Sequence, residues 1–371
     1  MATRLAEINP ILVRNYLAKV NTFMRGKPAL GKTDTIVAFT EAMKKKVDGF
    51  RCWLFYAPTM SPMDIQASAP DYDTGMLRLF NNQALPNAYD DPDAKGVIFF
   101  GELPNADQTT AKLLQKYVNG EDMSGVLRKP DGVVVIADGN RLEDKSSSQQ
   151  HGRAFMSRFE ILDVYSEPQD NIDYAAKHSW HPNVQLFFKE HPELIDNYDE
   201  VFETSNSTRK RGENKTSASD TMSEEGRVGI WANMRSWDRI SRKEYVAEQL
   251  NSPISLSELV GSLGTGVATA YKAHKDVIGK LASFDQIVAD PAGIAIPDAP
   301  DEQYTLMMIV ALRVKDTQMS VARIFGERLP LDMQAAMLKT MLTRKGFNVV
   351  ADDNYLKWIS NSKLTSLLNG R

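Results

Sequence analysis

The sequence predicts an α/β protein in which a parallel five-stranded sheet lies between layers of helices, followed by an all-helical region. In the first half, apolar runs of strand length alternate with segments of helical periodicity, which is typical of βαβ units. Beyond residue 228, apolar residues recur almost only at helical spacing. The 371 residues therefore divide into a predicted αβα domain at 1–205, a flexible polar linker at 206–227 and an α-helical domain at 228–371.

A glycine-rich loop follows the first predicted strand, 20–25, and precedes a helix in which Ile36 and Phe39 recur at helical spacing. The loop fits the P-loop pattern G-x-x-x-x-G-K-[ST], and loop amides at the positive end of a helix hold phosphate. We expect Lys32 to face solvent and to reach the β- and γ-phosphates of ATP, and the Thr33 hydroxyl to ligate Mg²⁺. A chance match in a surface turn is the alternative. The predicted nucleotide-binding residues are Gly26, Lys27, Pro28, Ala29, Leu30, Gly31, Lys32, Thr33 and Asp34.

The second and third predicted strands cover residues 50–56 and 97–102, and the third ends in Glu102. P-loop ATPases place a Mg²⁺-associated Asp and a catalytic Glu at such a strand tip. We predict that Glu102 is catalytic and joins Thr33 at the metal site; a buried strand that merely ends in Glu is the alternative. Gly101 stands where the Asp would be, so we expect weak turnover, unless Asp107 or Asp138 supplies the missing carboxylate.

Two further strands are predicted at 133–136 and 159–164, whereas residues 60–93 show no long periodicity. A polar side chain at the tip of the fourth strand would point between the P-loop and Glu102, where it can orient the attacking water. Asn140 is the candidate, and an Asn in an ordinary turn is the alternative.

Composition narrows the function classes. A net charge of −4 and a pI near 5.8 give no overall basic field, which argues against a dedicated DNA-coating protein. Cys52 is the single cysteine, so no internal disulfide is expected, and the longest apolar run is too short to span a bilayer. With no signal peptide in evidence, we expect a soluble, cytoplasmic protein. We interpret His178, His181 and His191 as surface or packing residues, because no Cys or acid pattern completes a zinc set.

These features resemble AAA+ ATPases, and in detail the MoxR-type branch. The order and spacing of the P-loop, the strand ending in Glu, the Gly-Asn-Arg tip and a helix end of the Arg-Phe type are similar to that class. The resemblance extends to about residue 266, and Met234 stands where the branch has proline. The phrases that carry it are Asp64-Ile65-Gln66-Ala67, Leu85-Pro86, Glu102-Leu103-Pro104-Asn105-Ala106, Gly139-Asn140-Arg141, Ser157-Arg158-Phe159 and Met234-Arg235-Ser236-Trp237.

The resemblance implies roles for two arginines. Arg158 would be the arginine finger that reaches the nucleotide of a neighbouring subunit, and Arg235 would contact nucleotide from the helical lid. A solvated helix face is the alternative for Arg158, and a position flanking the next helix is the alternative for Arg235. The resemblance also implies a homo-oligomeric ring, a hexamer, that remodels protein complexes as a chaperone-like ATPase with a von Willebrand factor A-domain partner.

Two other functions stay open at this stage. The protein could be a nucleotide-dependent scaffold or switch with little turnover, because Gly101 removes an acid from the metal shell. It could also be a nucleic-acid-associated ATPase, which the pI and the lack of an aromatic-basic pattern make the weaker reading.

Overall fold

A computed structural model describes residues 2–81, 84–141, 153–207, 229–344 and 346–368. By its internal contacts the chain divides into two compact units, Met1–Glu167 and Pro168–Arg371. None of the described helices is long and apolar enough to cross a membrane.

The first unit is built on parallel β-structure. Six strands form one sheet in the order β1-β8-β2-β7-β6-β3, in which every neighbouring pair is parallel, and β4 and β5 form a separate antiparallel hairpin. The strands are β1 (Thr3–Arg4), β2 (Thr22–Arg25), β3 (Phe50–Tyr56), β4 (Gln66–Asp71), β5 (Met76–Asn81), β6 (Lys95–Gly101), β7 (Val133–Gly139) and β8 (Glu160–Tyr165). The helices are α1 (Ile8–Leu17), α2 (Lys32–Lys44), α3 (Gln108–Val118) and α4 (Arg153–Met156).

Helices cover both faces of the sheet, because β6 and β7 are apolar on both sides and bury almost every residue. On one face, α1 and α2 bury residues such as Ile36 against Met24 and Phe99. On the other, α3 buries Leu114 against Val135. The predicted class, an αβα sandwich around a parallel sheet with a P-loop, is confirmed. The sheet has one strand more than the five predicted, since the two-residue β1 is too short to show any periodicity.

The hairpin of β4 and β5 lies in the segment for which the sequence predicted no regular structure. Its strands pair from Gln66 opposite Asn81 to Asp71 opposite Met76. Large apolar side chains on β5 are exposed, with Leu77 at 71%. A strand that does not bury one face lacks the alternation from which strands are predicted, which is why the hairpin was missed.

In the described part of the second unit, every regular element is a helix, as expected beyond residue 228. Two apolar cores hold it together, one around the buried residues 306–312 and one around Phe187 and Trp237. The helices are α5 (Pro168–Lys177), α6 (Pro182–Glu190), α7 (Tyr198–Ser207), α8 (Met234–Leu250), α9 (Leu256–Leu263), α10 (Thr265–Ile278), α11 (Phe284–Ala289), α12 (Pro300–Arg313), α13 (Met319–Gly326), α14 (Leu331–Thr343), α15 (Asp353–Ile359) and α16 (Ser362–Leu368).

The boundary between the two units, after Glu167, lies earlier in the sequence than the domain boundary predicted at residue 205. The physical reason is aromatic packing, because Trp180 and Phe187 belong to the same buried cluster as Trp237 and Tyr271. Helices α5 to α7 are thus grouped with the helical unit by their contacts. From residue 208 on, the linker predicted at 206–227 lies outside the described residues.

Candidate functional site

The P-loop joins β2, in the middle of the sheet, to the N-terminus of α2. The amide of Gly26 donates to the carbonyl of Gly139 at 3.2 Å, which anchors the start of the loop to the tip of β7. A Cβ at residue 26 would lie 2.8 Å from the carbonyl oxygen of Val164, so only glycine fits there. Ala29 and Gly31 both have positive φ, at 61° and 93°, which turns the loop into the helix. The backbone path therefore favours glycine at residues 26 and 31, the two glycines of the P-loop pattern, whereas Ala29 adopts its left-handed conformation at a cost in strain.

Lys32 is the first residue of α2 and is buried, with 6% of its surface exposed. Its ammonium group donates to the carbonyls of Gly26 at 2.9 Å and Lys27 at 2.8 Å, and lies 3.4 Å from Oδ1 of Asn140. The expectation that Lys32 faces solvent is wrong, because the loop folds around its side chain and offers carbonyl acceptors. The cation nevertheless sits inside the loop, where a phosphate-binding lysine is needed.

Thr33, Asp34 and Asn140 surround this loop at the C-terminal edge of the sheet. Thr33 and Asp34 lie in the exposed first turn of α2. Asn140 directly follows β7, whose neighbour in the sheet is β2. The structure thus brings Asn140 to Lys32, whereas the role predicted for Asn140, orienting a water, stays a prediction.

Glu102 follows β6 in a left-handed backbone conformation with φ of 52°. Its Oε2 accepts hydrogen bonds from the Tyr56 hydroxyl at 2.9 Å and from the Asn105 amide at 3.1 Å. Its backbone amide donates to Oδ1 of Asp138 at 2.8 Å. A non-glycine residue pays roughly 1–2 kcal/mol for this conformation, and strained residues of this kind cluster at functional sites. The surrounding hydrogen bonds hold the Glu102 carboxylate at the sheet edge.

Asp138 lies beside Gly101 on the neighbouring strand. Phe100 pairs with Ala137 across β6 and β7, so the next residues, Gly101 and Asp138, are also side by side. Residues directly opposite each other in a parallel pair lie on the same face of the sheet. Phe99, two residues before Gly101, packs on the face covered by α2, so Gly101 and Asp138 also lie on that face. Asp138 is 95% buried. The carboxylate of Asp138 therefore lies one strand away from residue 101, where Gly101 provides none. It is on the sheet face covered by α2, the helix that carries Thr33.

Asp107, the other acid considered from the sequence, caps a helix. It is the N-cap of α3, where its Oδ2 accepts from the amides of Thr109 at 2.8 Å and Thr110 at 3.3 Å. These hydrogen bonds lower the pKa of Asp107 and keep it ionised as a cap. Asp107 is therefore the weaker candidate for the missing carboxylate.

An ion pair fixes the base of the P-loop. Arg25, the last residue of β2, donates from Nε and Nη2 to the two carboxylate oxygens of Asp163 on β8, at 2.5 and 2.9 Å. Hydrogen bonding from Arg25 lowers the pKa of Asp163. The paired registers of β2 and β8 place these residues opposite each other, so the bidentate bond holds the strand end from which the loop departs.

Arg158 lies just after α4 and is held by its own chain. Its guanidinium donates from Nε to Oδ1 of Asn119 at 3.0 Å and also to the Ala154 carbonyl. The role predicted for Arg158 requires it to reach another subunit, so these internal hydrogen bonds would have to be exchanged on assembly.

Arg235 is exposed in the first turn of α8, in the helical unit. Asn233 caps this helix, and its Oδ1 accepts from the Arg235 amide at 3.0 Å. Met234, which replaces the proline of the resembled phrase, is the first residue of the helix. The predicted role of Arg235 toward nucleotide stays a prediction.

Glu102 has two partners that were not predicted from the sequence, Tyr56 and Asn105. Asn105 follows Glu102 by three residues, but Tyr56 comes from the end of another strand. The register Tyr56 opposite Gly101 brings the hydroxyl to the carboxylate, and no periodicity in the sequence reveals that pairing. Oδ1 of Asn105 is buried and has no partner among the residues that the structure describes. The site thus offers a cation, a carboxylate and an acceptor without a protein donor at one sheet edge.

The chain resembles several solved structures at low sequence identity. No protein-family model and no curated protein matches the chain. A provisionally assigned ATPase from Cytophaga hutchinsonii is 11% identical over 95% of this chain and 79% of its own, with a TM-score of 0.31. NtrX from Brucella abortus, in complex with ADP, is 13% identical over 74% of this chain and 67% of its own, with a TM-score of 0.34. A RuvB variant from Thermotoga maritima is 15% identical over 76% of this chain and 89% of its own, with a TM-score of 0.33.

Proposed function

We propose that this protein binds ATP with Mg²⁺ and hydrolyses it slowly, as an AAA+ ATPase of the MoxR type. The observation that carries the proposal is the P-loop, in which the Lys32 ammonium is enclosed by loop carbonyls. Phosphate oxygens can replace these carbonyls as acceptors for the Lys32 ammonium, and the loop amides and the positive end of α2 favour that exchange. Gly26 and Gly31 provide the close backbone approach that phosphate binding needs.

The residues present fit a nucleotide with its metal. Lys32 and the loop amides of residues 27 and 29–33 would hold the β- and γ-phosphates, and Thr33 would supply a hydroxyl to Mg²⁺. When bound, the Mg²⁺ ion supplies charge neutralisation for the transferred phosphoryl group. Thr33 is exposed at the helix end, so its hydroxyl is accessible to a ligand at that surface.

Glu102 would accept or orient a proton of the attacking water. Its carboxylate is held by Tyr56 and Asn105, which limits its rotamers before the substrate arrives. The buried Oδ1 of Asn105 can accept from a water molecule that bridges to Glu102. Asn140 would complete this set through its position next to Lys32.

Asp138 would supply the carboxylate that Gly101 lacks. It is the buried acid of the α2 face, beside Gly101, and it already accepts from the Glu102 amide. A single side chain would then serve two purposes, the outer shell of the metal and the placement of Glu102.

Calorimetry with ATP and Mg²⁺ tests the proposal together with a phosphate-release assay. The wild-type chain should bind ATP and turn over slowly, and Glu102→Gln should keep affinity and lose turnover. A folded wild-type chain without ATP affinity would refute the nucleotide site itself.

Assembly into a hexameric ring with Arg158 acting in trans is part of the same proposal, as is remodelling of a protein substrate brought by a von Willebrand factor A-domain partner. Arg158 supports it by chemistry, since a guanidinium stabilises the charge on a transferred phosphoryl group. Mixing Arg158→Ala with Lys32→Ala subunits should restore part of the activity, because sites with two intact halves then form. Light scattering that shows a monomer with ATP and Mg²⁺ at micromolar concentration would refute the ring.

A nucleotide-dependent switch with little turnover is the second candidate, and Gly101 is the observation that favours it. Binding of ATP without measurable phosphate release would support the switch. Stimulation of phosphate release by DNA would instead favour a nucleic-acid-associated ATPase.

A further inference from the structure

The helical unit contains a cluster of two histidines and a glutamate that the proposed ATPase does not use. Glu190 ends α6, His191 follows it, and His274 lies in α10. One potential ligand atom from each residue lies within 4.8 Å of those of the other two. The sequence suggested no zinc set for His191, because its partner His274 is far away along the chain.

His274 is the buried member of the cluster, with 7% of its surface exposed. Its Nδ1 lies 3.0 Å from Oε2 of Glu190. Its Nε2 is also buried and has no hydrogen-bond partner among the residues that the structure describes. Because the lone pairs of the two ring nitrogens point to opposite sides of the ring, an ion shared with Glu190 would bind at Nδ1, and Nε2 would carry the proton.

The other two members have neighbours outside the cluster. Nδ1 of His191 lies 3.6 Å from a carboxylate oxygen of Glu193, which is beyond hydrogen-bond distance, so either ring nitrogen of His191 can serve as the ligand atom. Oε1 of Glu190 accepts from the Thr305 hydroxyl at 3.0 Å, so Oε2 is directed toward His274. Metal-binding histidines and carboxylates are commonly oriented by outer partners in this way.

We propose that Glu190, His191 and His274 bind one divalent transition-metal ion, with Zn²⁺ as the best fit. Two imidazoles and one carboxylate are an established zinc donor set that leaves a fourth position for water. Mg²⁺ and Ca²⁺ prefer oxygen ligands throughout, so the two imidazoles select against them.

The geometry needs only a local adjustment. Zinc bonds of about 2.0–2.1 Å put neighbouring ligand atoms of a tetrahedral site roughly 3.4 Å apart. His191 is the member that can move, because 38% of its side chain is exposed. Rotation of this ring, whose centroid lies 4.8 Å from that of Phe187, would bring its nitrogen toward Glu190 and His274.

The ion would tie the C-terminal end of α6 to α10. These helices already share the contact between Phe187 and Tyr271, whose ring centroids are 5.2 Å apart. Since the unfolded chain does not hold the three ligands together, Zn²⁺ should stabilise the folded form and raise its unfolding temperature.

The test uses the full chain without a histidine tag, stripped of metal and kept in excess Mg²⁺ so that oxygen-rich sites are occupied. Zn²⁺ is titrated in competition with a chromophoric chelator. One equivalent should bind, the unfolding temperature should rise with Zn²⁺, and Co²⁺ should give the visible absorption of a low-coordinate site.

Two variants separate this site from adventitious binding. His191→Ala removes a half-exposed ligand with little risk to the fold and should weaken Zn²⁺ binding by at least about tenfold. His178→Ala is the matched control, because His178 is an exposed histidine of the same unit that stacks on Tyr174 and lies outside the cluster. Equal Zn²⁺ affinity in His191→Ala and wild type would overturn the proposal, and so would a wild-type chain that takes no Zn²⁺ from the chelator.

Discussion

Replacing Asp138 tests whether this residue compensates for Gly101. Asp138→Ala removes the acceptor of the Glu102 amide, a charge-assisted hydrogen bond of 2.8 Å in a buried position. Such bonds contribute about 1.5–3 kcal/mol. If that energy is lost in the transition state, turnover should fall by about ten- to 150-fold, since each 1.36 kcal/mol is a factor of ten.

Asp138→Asn separates the two tasks given to this residue. Its amide oxygen still accepts from the Glu102 amide, but the carboxylate charge is gone. If Asp138 belongs to the metal shell, Asp138→Asn should also be slow and should need more Mg²⁺. Adding Gly101→Asp should then restore turnover, because a Cβ at residue 101 meets nothing closer than 3.6 Å.

Steady-state phosphate release across a Mg²⁺ titration distinguishes the two roles of Asp138 in these variants, with ATP affinity measured in parallel. Full turnover of Asp138→Asn at every Mg²⁺ concentration would refute the metal-shell role and leave only the placement of Glu102. A rise in turnover from Gly101→Asp alone, in the wild-type background, would show that Asp138 does not compensate.

Three further outcomes are expected. Lys32→Ala should weaken ATP affinity in calorimetry by at least tenfold, given about 1.5–3 kcal/mol for each hydrogen bond to a charged group. Gly139→Ala should lower the free energy of unfolding by about 1–3 kcal/mol in urea, because its Cβ would lie 2.5 Å from Cγ of Pro104. Burial lowers the pKa of His181. The neutral imidazole therefore contributes stability that is complete above the pKa of the unfolded chain, about 6.5, and that should be lost as pH falls through the lower folded pKa. His181→Asn, which can still cap α6, should flatten that decline in unfolding midpoints.

Each of these outcomes has a control. Circular dichroism must show a folded Lys32→Ala chain, and unchanged affinity in that chain would refute the P-loop assignment. Gly101→Ala is the matched control for Gly139→Ala, since it introduces no close contact, and equal losses in both would refute the steric argument. If the unfolding midpoint fell with decreasing pH equally in the wild-type chain and in His181→Asn, the role of His181 would be refuted.

The local chemistry of this protein could be predicted from its sequence. The P-loop pattern placed Lys32 and Thr33 at the start of a helix, and that helix begins at Lys32. Strand β3 has the predicted bounds, Phe50–Tyr56, because its aromatic residues are followed at once by Ala57 and Pro58, which end the run. In each case the signal comes from residues adjacent in sequence.

Only the tertiary structure decided which distant residues meet. The strand register puts Asp138 beside Gly101 and at the Glu102 amide, whereas Asp107 is used as a helix cap. Both acids had been equal candidates in the sequence, because spacing along the chain carries no information on register between strands. The burial of Lys32 was likewise unpredictable, since its acceptors are backbone carbonyls, which every residue has. A sequence specifies which groups are available, and packing determines which of them come within bonding distance.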